Sequence, residues 1–211
     1  MSLVESQNML TLRIEEIVEE ATKRYLAIFS GHLRSAEGKP LYAADLVMFG
    51  ILNRNLGLLR AMPALVNERN IHALAPLLRV QLDGLLRLHA YRIVESIDDL
   101  ALHVVGGNSL RRFRDRNGNA LTDRHLVDSL KAEIDWVEPV YETLSGWVHL
   151  SESHVFSAVG PGQKEGAIVV AVGSQEEIPE QLFEEAVGAI EAIHSSTAEM
   201  LEGYFGRLAG A

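Results

Sequence analysis

Two sets of polar side chains recur at helical spacing inside apolar stretches. Arg79, Asp83 and Arg87 stand at i, i+4 and i+8, so on a helix they form one stripe. Tyr141, Ser145 and His149 repeat the same spacing in the stretch after Pro139. Burying a charge is costly unless the charge is paired, so the first stripe needs partners, and the Tyr141 stripe is the first candidate. A histidine beside a carboxylate or a guanidinium is a tunable acid or base. The same residues can equally form a buried hydrogen-bond network that fixes helix register. Both readings stand at this level.

Other motifs fall short of the chemistry they would need. His149-Leu-Ser-Glu152-Ser-His154 holds three metal-ligand types, but on a straight helix His149 and His154 point about 140° apart. They could share a metal only if the helix ended between them. Di-iron bundles need two Glu-x-x-His motifs, and only Glu191-Ala-Ile-His194 occurs. Gly160 to Gly166 reads G-x-G-x-x-x-G, which misses the dinucleotide fingerprint and precedes no helix. There is no Walker A and no G-x-S-x-G. No metal and no cofactor is implied.

Arg111-Arg112-Phe113-Arg114-Asp115-Arg116 is the one locally basic segment, with Arg124 beyond the Asn117-Gly118 turn. Arginine forks suit phosphate, and a phenylalanine can stack on a base, so this is the candidate RNA or phosphate contact. The competing expectation is a solvated loop whose arginines pair with acidic residues nearby. Charge is distributed to favour pairing. Residues 101–130 hold 5 Arg against 3 Asp, whereas residues 131–211 hold 3 Lys+Arg against 14 Asp+Glu. With a total of −10, the general surface repels a nucleic-acid backbone.

These residues must be positioned by helices. At 211 residues and 47% hydrophobic, the chain is long enough for one sizeable core, and we read 1–211 as a single helical domain. The periodicity predicts an amphipathic helix over 6–34, a second over 42–59 extended to 67, and a third over 74–95. That third helix is apolar on nearly every face and should be central. Shorter helices follow over 98–105, 122–136 and 139–153. Val155 to Val159 and Ala167 to Val172 read as two strands of a hairpin, within about 155–173. A last long helix runs over 179–208. Pro63 predicts a kink or break. The fold class is therefore mainly α: a bundle of about six to seven helices with one β-hairpin before the C-terminal helix. The chain has no cysteine, which excludes disulfide scaffolds and thiol chemistry. It shows no membrane-length apolar run and no secretory pattern at Met1 to Glu16, so a cytoplasmic protein is expected. The long first and last helices could pair in a homodimer.

Residues 74–157 resemble a group of uncharacterised bacterial all-helical proteins. The likeness rests on Asp115-Arg-Asn-Gly-Asn-Ala-Leu-Thr-Asp-Arg-His-Leu-Val and on Trp136-Val-Glu-Pro-Val-Tyr-Glu-Thr-Leu-Ser-Gly-Trp-Val-His-Leu-Ser-Glu-Ser-His-Val-Phe. These contain a Tyr…Ser-Gly-aromatic-Val-His-Leu-Ser…His motif, and Leu78-Arg79 to Asp83 matches an earlier Leu-Arg-x-x-x-Asp helix. The resemblance implies that Arg79, Asp83, Tyr141, Ser145, His149, Ser151 and His154 are characteristic positions. The group is loosely similar to HEPN and abortive-infection proteins, some of which are ribonucleases. That ribonuclease motif is Arg, four to six residues, then His, and no Arg here has a His at i+5 to i+7.

Two functions follow. One is a binding or regulatory module, set by the resemblance in bacterial stress or phage defence. The alternative is a metal-independent HEPN-like ribonuclease. In it His149 would be the base and Arg79 would stabilise developing phosphorane charge. Asp83, Ser145, Tyr141 and His154 would complete the site, and Arg111, Arg112, Arg114 and Arg116 would hold the RNA.

Overall fold

A computed structural model describes residues 3–209, apart from 36, 39, 162, 163, 165, 171 and 174–177. The protein is mainly α, with a two-stranded antiparallel hairpin ahead of the long last helix. In chain order come α1 (Leu3–Ser35), α2 (Ala43–Asn67), α3 (Ile71–Ile93), α4 (Ile97–Val105) and a 3-10 turn (Leu110–Arg112). They are followed by α5 (Asp123–Leu130), α6 (Val137–Val148), α7 (Glu152–Phe156), β1 (Val159–Pro161), β2 (Ile168–Val170) and α8 (Glu180–Ala209). No described helix is long and apolar enough to cross a membrane.

Helix α3 is central, as its all-round apolar sequence predicts. Leu74, Leu78, Leu82, Leu85 and Leu86 are wholly buried, and α2, α5, α6 and α8 all pack on it. Gly84 lets α2 come close: a Cβ there would stand 2.9 Å from Asn55 Oδ1. Helix α1 lies on α8 through Ile14, Ala21 and Tyr25 against Ile190, Ile193 and Leu201. Arg13–Glu191 (2.7 Å) and the two-pronged Arg24–Glu202 contact (2.8 Å) advance together along both helices, so α1 and α8 run parallel. The faces expected to form a dimer are thus used within one chain.

Several boundaries differ from expectation, each for a local reason. Pro63 neither breaks nor ends α2, which continues to Asn67. Leu59, Met62 and Val66 are buried on either side of it, and that packing outweighs one lost helical hydrogen bond. The helix expected over 122–136 stops at Leu130, and turns anchored by buried Leu130 and Val137 lead into α6. The helix expected to reach Ser153 stops at Val148. His149 is extended (φ −106°, ψ 147°), and the chain re-enters a short helix at Glu152. Val155 therefore lies in α7 rather than in a strand, and the hairpin is confined to Val159–Pro161 paired with Ile168–Val170. Residues 162, 163 and 165 of its tip lie outside the described residues.

Candidate functional site

The first stripe finds partners, but most come from unexpected elements. Asp83 accepts from Arg54 of α2 (3.2 Å) and pairs with Arg87 (2.5 Å). Arg87 also meets Asp123, the first residue of α5 (3.1 Å), and Asp123 accepts from Arg79 (2.9 Å). The result is a line of alternating charge, Arg54–Asp83–Arg87–Asp123–Arg79, with a guanidinium at each end. At the Arg79 end the cation lies over the Tyr141 ring, 4.4 Å from its centroid, in a well-shielded position. That contact is the one that the spacing anticipated. Thr122 caps α5 by accepting from the His125 N–H, which sets Asp123 in the first turn, where a carboxylate is favoured.

The rest of the Tyr141 stripe lies elsewhere. Ser145 donates to the Tyr141 carbonyl within its own helix (2.7 Å). His149 is exposed at the end of α6. Trp147 packs on His72 near the start of α3, whereas Tyr141 packs on Arg79 two turns further on, so α6 runs antiparallel to α3. His149 is consequently about 12 Å along the helix from the Tyr141–Arg79 contact. His154 joins a ring cluster with His72 (5.6 Å) and Trp147 (5.1 Å), and its Nδ1 accepts from the Ser151 N–H (3.3 Å). The helix ends at Val148, just before His149, so helical geometry no longer keeps His149 and His154 from sharing a metal. Among the described residues, no group of three His, Asp or Glu side chains could hold one.

The basic segment is divided between structural duties and solvent. Arg116 caps the C-terminus of α3: Nη2 donates to the Arg92 carbonyl (2.8 Å) and Nε to the Ile93 carbonyl (3.1 Å). A cation there complements the helix dipole and satisfies orphan carbonyls. We expect Arg116→Ala to lower unfolding free energy by about 1–2 kcal/mol in urea titrations, with Arg116→Lys recovering part of the loss. Arg114 donates to the Gly118 carbonyl (2.7 Å) and closes the turn. Burial pushes the Asp115 carboxyl up, but hydrogen bonds from Asn119, His125 and the Asn117 N–H hold it below the ordinary range. Arg124 pairs with Asp128, Glu138 and Glu142, so acidic residues of the last third do claim it. Arg111 and Arg112 remain exposed, with no ion pair among the described residues.

Sequence reasoning missed a cavity of about 430 Å³ between α3, α6 and α8. Ala75 and Leu78 of α3 line one side, and Trp136, Val140 and Trp147 another. Along α8 the wall is built of Ala186, Gly188, Ala189 and Ala192, whose small side chains leave the space unfilled. Among the described residues Glu185, at the rim, is the one charged lining residue. The recurrence of Ala and Gly at positions where α1-facing residues are large was the available signal. Both tryptophans of the chain line this cavity.

A scan of protein-family models, a search of curated proteins and a search of solved structures each find no match to this chain.

Proposed function

We propose that this protein is a binding module whose seat is the apolar cavity between α3, α6 and α8. It would take an apolar small molecule without negative charge. The observation that carries this reading is the cavity itself: about 430 Å³, walled by two tryptophans, within the range of small-molecule sites. Glu185, the sole charged neighbour among the described residues, and Glu184 beside it disfavour an anion.

The ribonuclease alternative would require His149 beside Arg79. Arg79, on α3, packs on Tyr141, about 12 Å along α6 from His149, and is already engaged by Asp123. A regulatory role in bacterial stress or phage defence rests on the resemblance of residues 74–157 alone. A homodimer would have to use surface other than the packed faces of α1 and α8.

The test uses the two tryptophans as built-in reporters. Titration with the neutral dye N-phenyl-1-naphthylamine should quench their emission saturably by energy transfer. Ala189→Phe, which fills the cavity from α8, should weaken binding at least about tenfold while the far-ultraviolet circular dichroism is retained. Unchanged affinity in that variant, or no saturable quenching in the parent, overturns the reading.

A further inference from the structure

A second cleft, of about 380 Å³, opens between α2, α3, α4 and the 3-10 turn, and it receives the exposed end of the charge line. Arg54, Asp83 and Arg87 line it together with Asn108 and Tyr91, and Val47, Ile51, Val104 and Leu110 supply an apolar floor. We propose that this cleft binds an organic anion, a carboxylate or phosphate carried on an apolar body.

Charge is the first argument. The line holds three guanidiniums and two carboxylates, one positive charge in excess. At its far end Arg79 is shielded and covered by the Tyr141 ring. At the cleft end Arg54 is 40% exposed, so the unbalanced charge is offered there. Arg54 spends only Nη2, on the Val80 carbonyl and Asp83, and Arg87 spends only Nη2, on its two carboxylates. The Nε and Nη1 donors of both have no partner among the described residues. Because Nη2 belongs to both bidentate edges of a guanidinium, the free Nε and Nη1 each offer a single charge-assisted hydrogen bond to a carboxylate or phosphate oxygen, and the two arginines together can hold more than one. The exposed Arg111 and Arg112 follow Leu110 directly at the cleft wall and extend the positive field.

Shape is the second argument. Gly50 lines the cleft from inside α2, where glycine costs about 1 kcal/mol relative to alanine. No close approach demands it, since a Cβ at Gly50 would meet nothing within 4 Å. Its effect is to leave the cleft mouth open. Tyr91 lines this space, and its buried hydroxyl has no hydrogen-bond partner among the described residues. This site is independent of the apolar cavity, and its charge preference is the opposite.

The test is a calorimetric comparison of matched probes on the full chain carrying Ala189→Phe, so that the apolar cavity does not contribute. The probes are 2-naphthoate, 2-naphthyl phosphate and the cation 2-naphthylmethylammonium. Both anions should bind at least about tenfold more tightly than the cation. Gly50→Leu fills the cleft and adds a good helix former, so it should abolish anion binding while raising or preserving the melting temperature. Arg54→Gln should weaken the anions about tenfold and leave the cation unaffected. If 2-naphthoate binds and the phosphate does not, the ligand class narrows to carboxylates. Equal affinity for anion and cation, full binding by a folded Gly50→Leu protein, or no saturable anion binding below about 5 mM overturns the proposal.

Discussion

Asp45→Ala should destabilise the protein by about 3–5 kcal/mol, the largest loss we expect from removing one polar side chain. Asp45 is 1% exposed and ties three helices at one end of the bundle. Its Oδ2 accepts from the Tyr42 N–H (2.9 Å), which caps α2. Its Oδ1 accepts from the Tyr204 hydroxyl of α8 (3.3 Å) and stands 3.5 Å from His32 Nε2 of α1. Burial, with the Asp45 charge beside it, raises the Tyr204 phenol well above its ordinary value, so its proton stays to be donated. Alanine would leave a buried hydroxyl and a helix-initiating N–H without an acceptor, and each such group costs about 1–3 kcal/mol. Asp45 is itself nearly sealed, and the His32 ring beside it packs on Phe49 and Phe205, so water has no ready route to replace the carboxylate. Asp45→Asn retains one acceptor and should lose markedly less. Urea titrations with an unchanged m-value are the check. A loss below about 1 kcal/mol for the alanine variant would show that the contact is incidental.

The contrast between the two polar sites explains what was legible in the residues alone. Spacing shows which side chains share a helix face, and that was enough to bring Arg79 to Tyr141 and to put α3 at the centre. It does not show which element faces that stripe. Arg54 sits in the mixed stretch Ile51-Leu52-Asn53-Arg54-Asn55-Leu56, where nothing marks it as a partner of Asp83, and Asp123 reads as an ordinary cap residue. The periodic series Tyr141, Ser145, His149 was extrapolated through a helix end. No Gly or Pro punctuates Trp147-Val-His-Leu-Ser, so the break at His149 left no local signal. Arg116 illustrates the same limit from the other side: a basic run looks like a ligand surface until the carbonyls of a distant helix end claim it. Cavities are the hardest feature to foresee, because they depend on what fails to fill a space. The Ala and Gly of α8 take on meaning only once Trp136 and Trp147 are seen opposite them.

Acidification should loosen the packing of α5 on α3, and His89 is the group responsible. His89 is 1% exposed, and its Nε2 lies 2.8 Å from Ser129 Oγ of α5. Ser129 spends its own proton on the Leu126 carbonyl (3.1 Å), so the imidazole must be the donor. That fixes a neutral ring protonated at Nε2. Among the described residues its buried Nδ1 has no hydrogen-bond partner, so a second proton would meet no acceptor. Burial first, and then the neighbouring Arg92 charge, lower the His89 pKa from 6.5 to about 4. The unfolded chain therefore takes up a proton near pH 6.5 that the folded protein refuses until about pH 4. Stability is complete above pH 6.5 and falls as pH drops through this window, by about 3 kcal/mol in total. His194, lowered by burial and then by Arg24, adds a loss of the same sign. Carboxylates also titrate near pH 4, so the informative quantity is the gap between parent and His89→Gln, which keeps a donor for Ser129. Between pH 7.5 and 4.5 that gap should shift by about 2–3 kcal/mol in favour of the glutamine variant. A gap that stays constant would mean that His89 reaches solvent when it protonates.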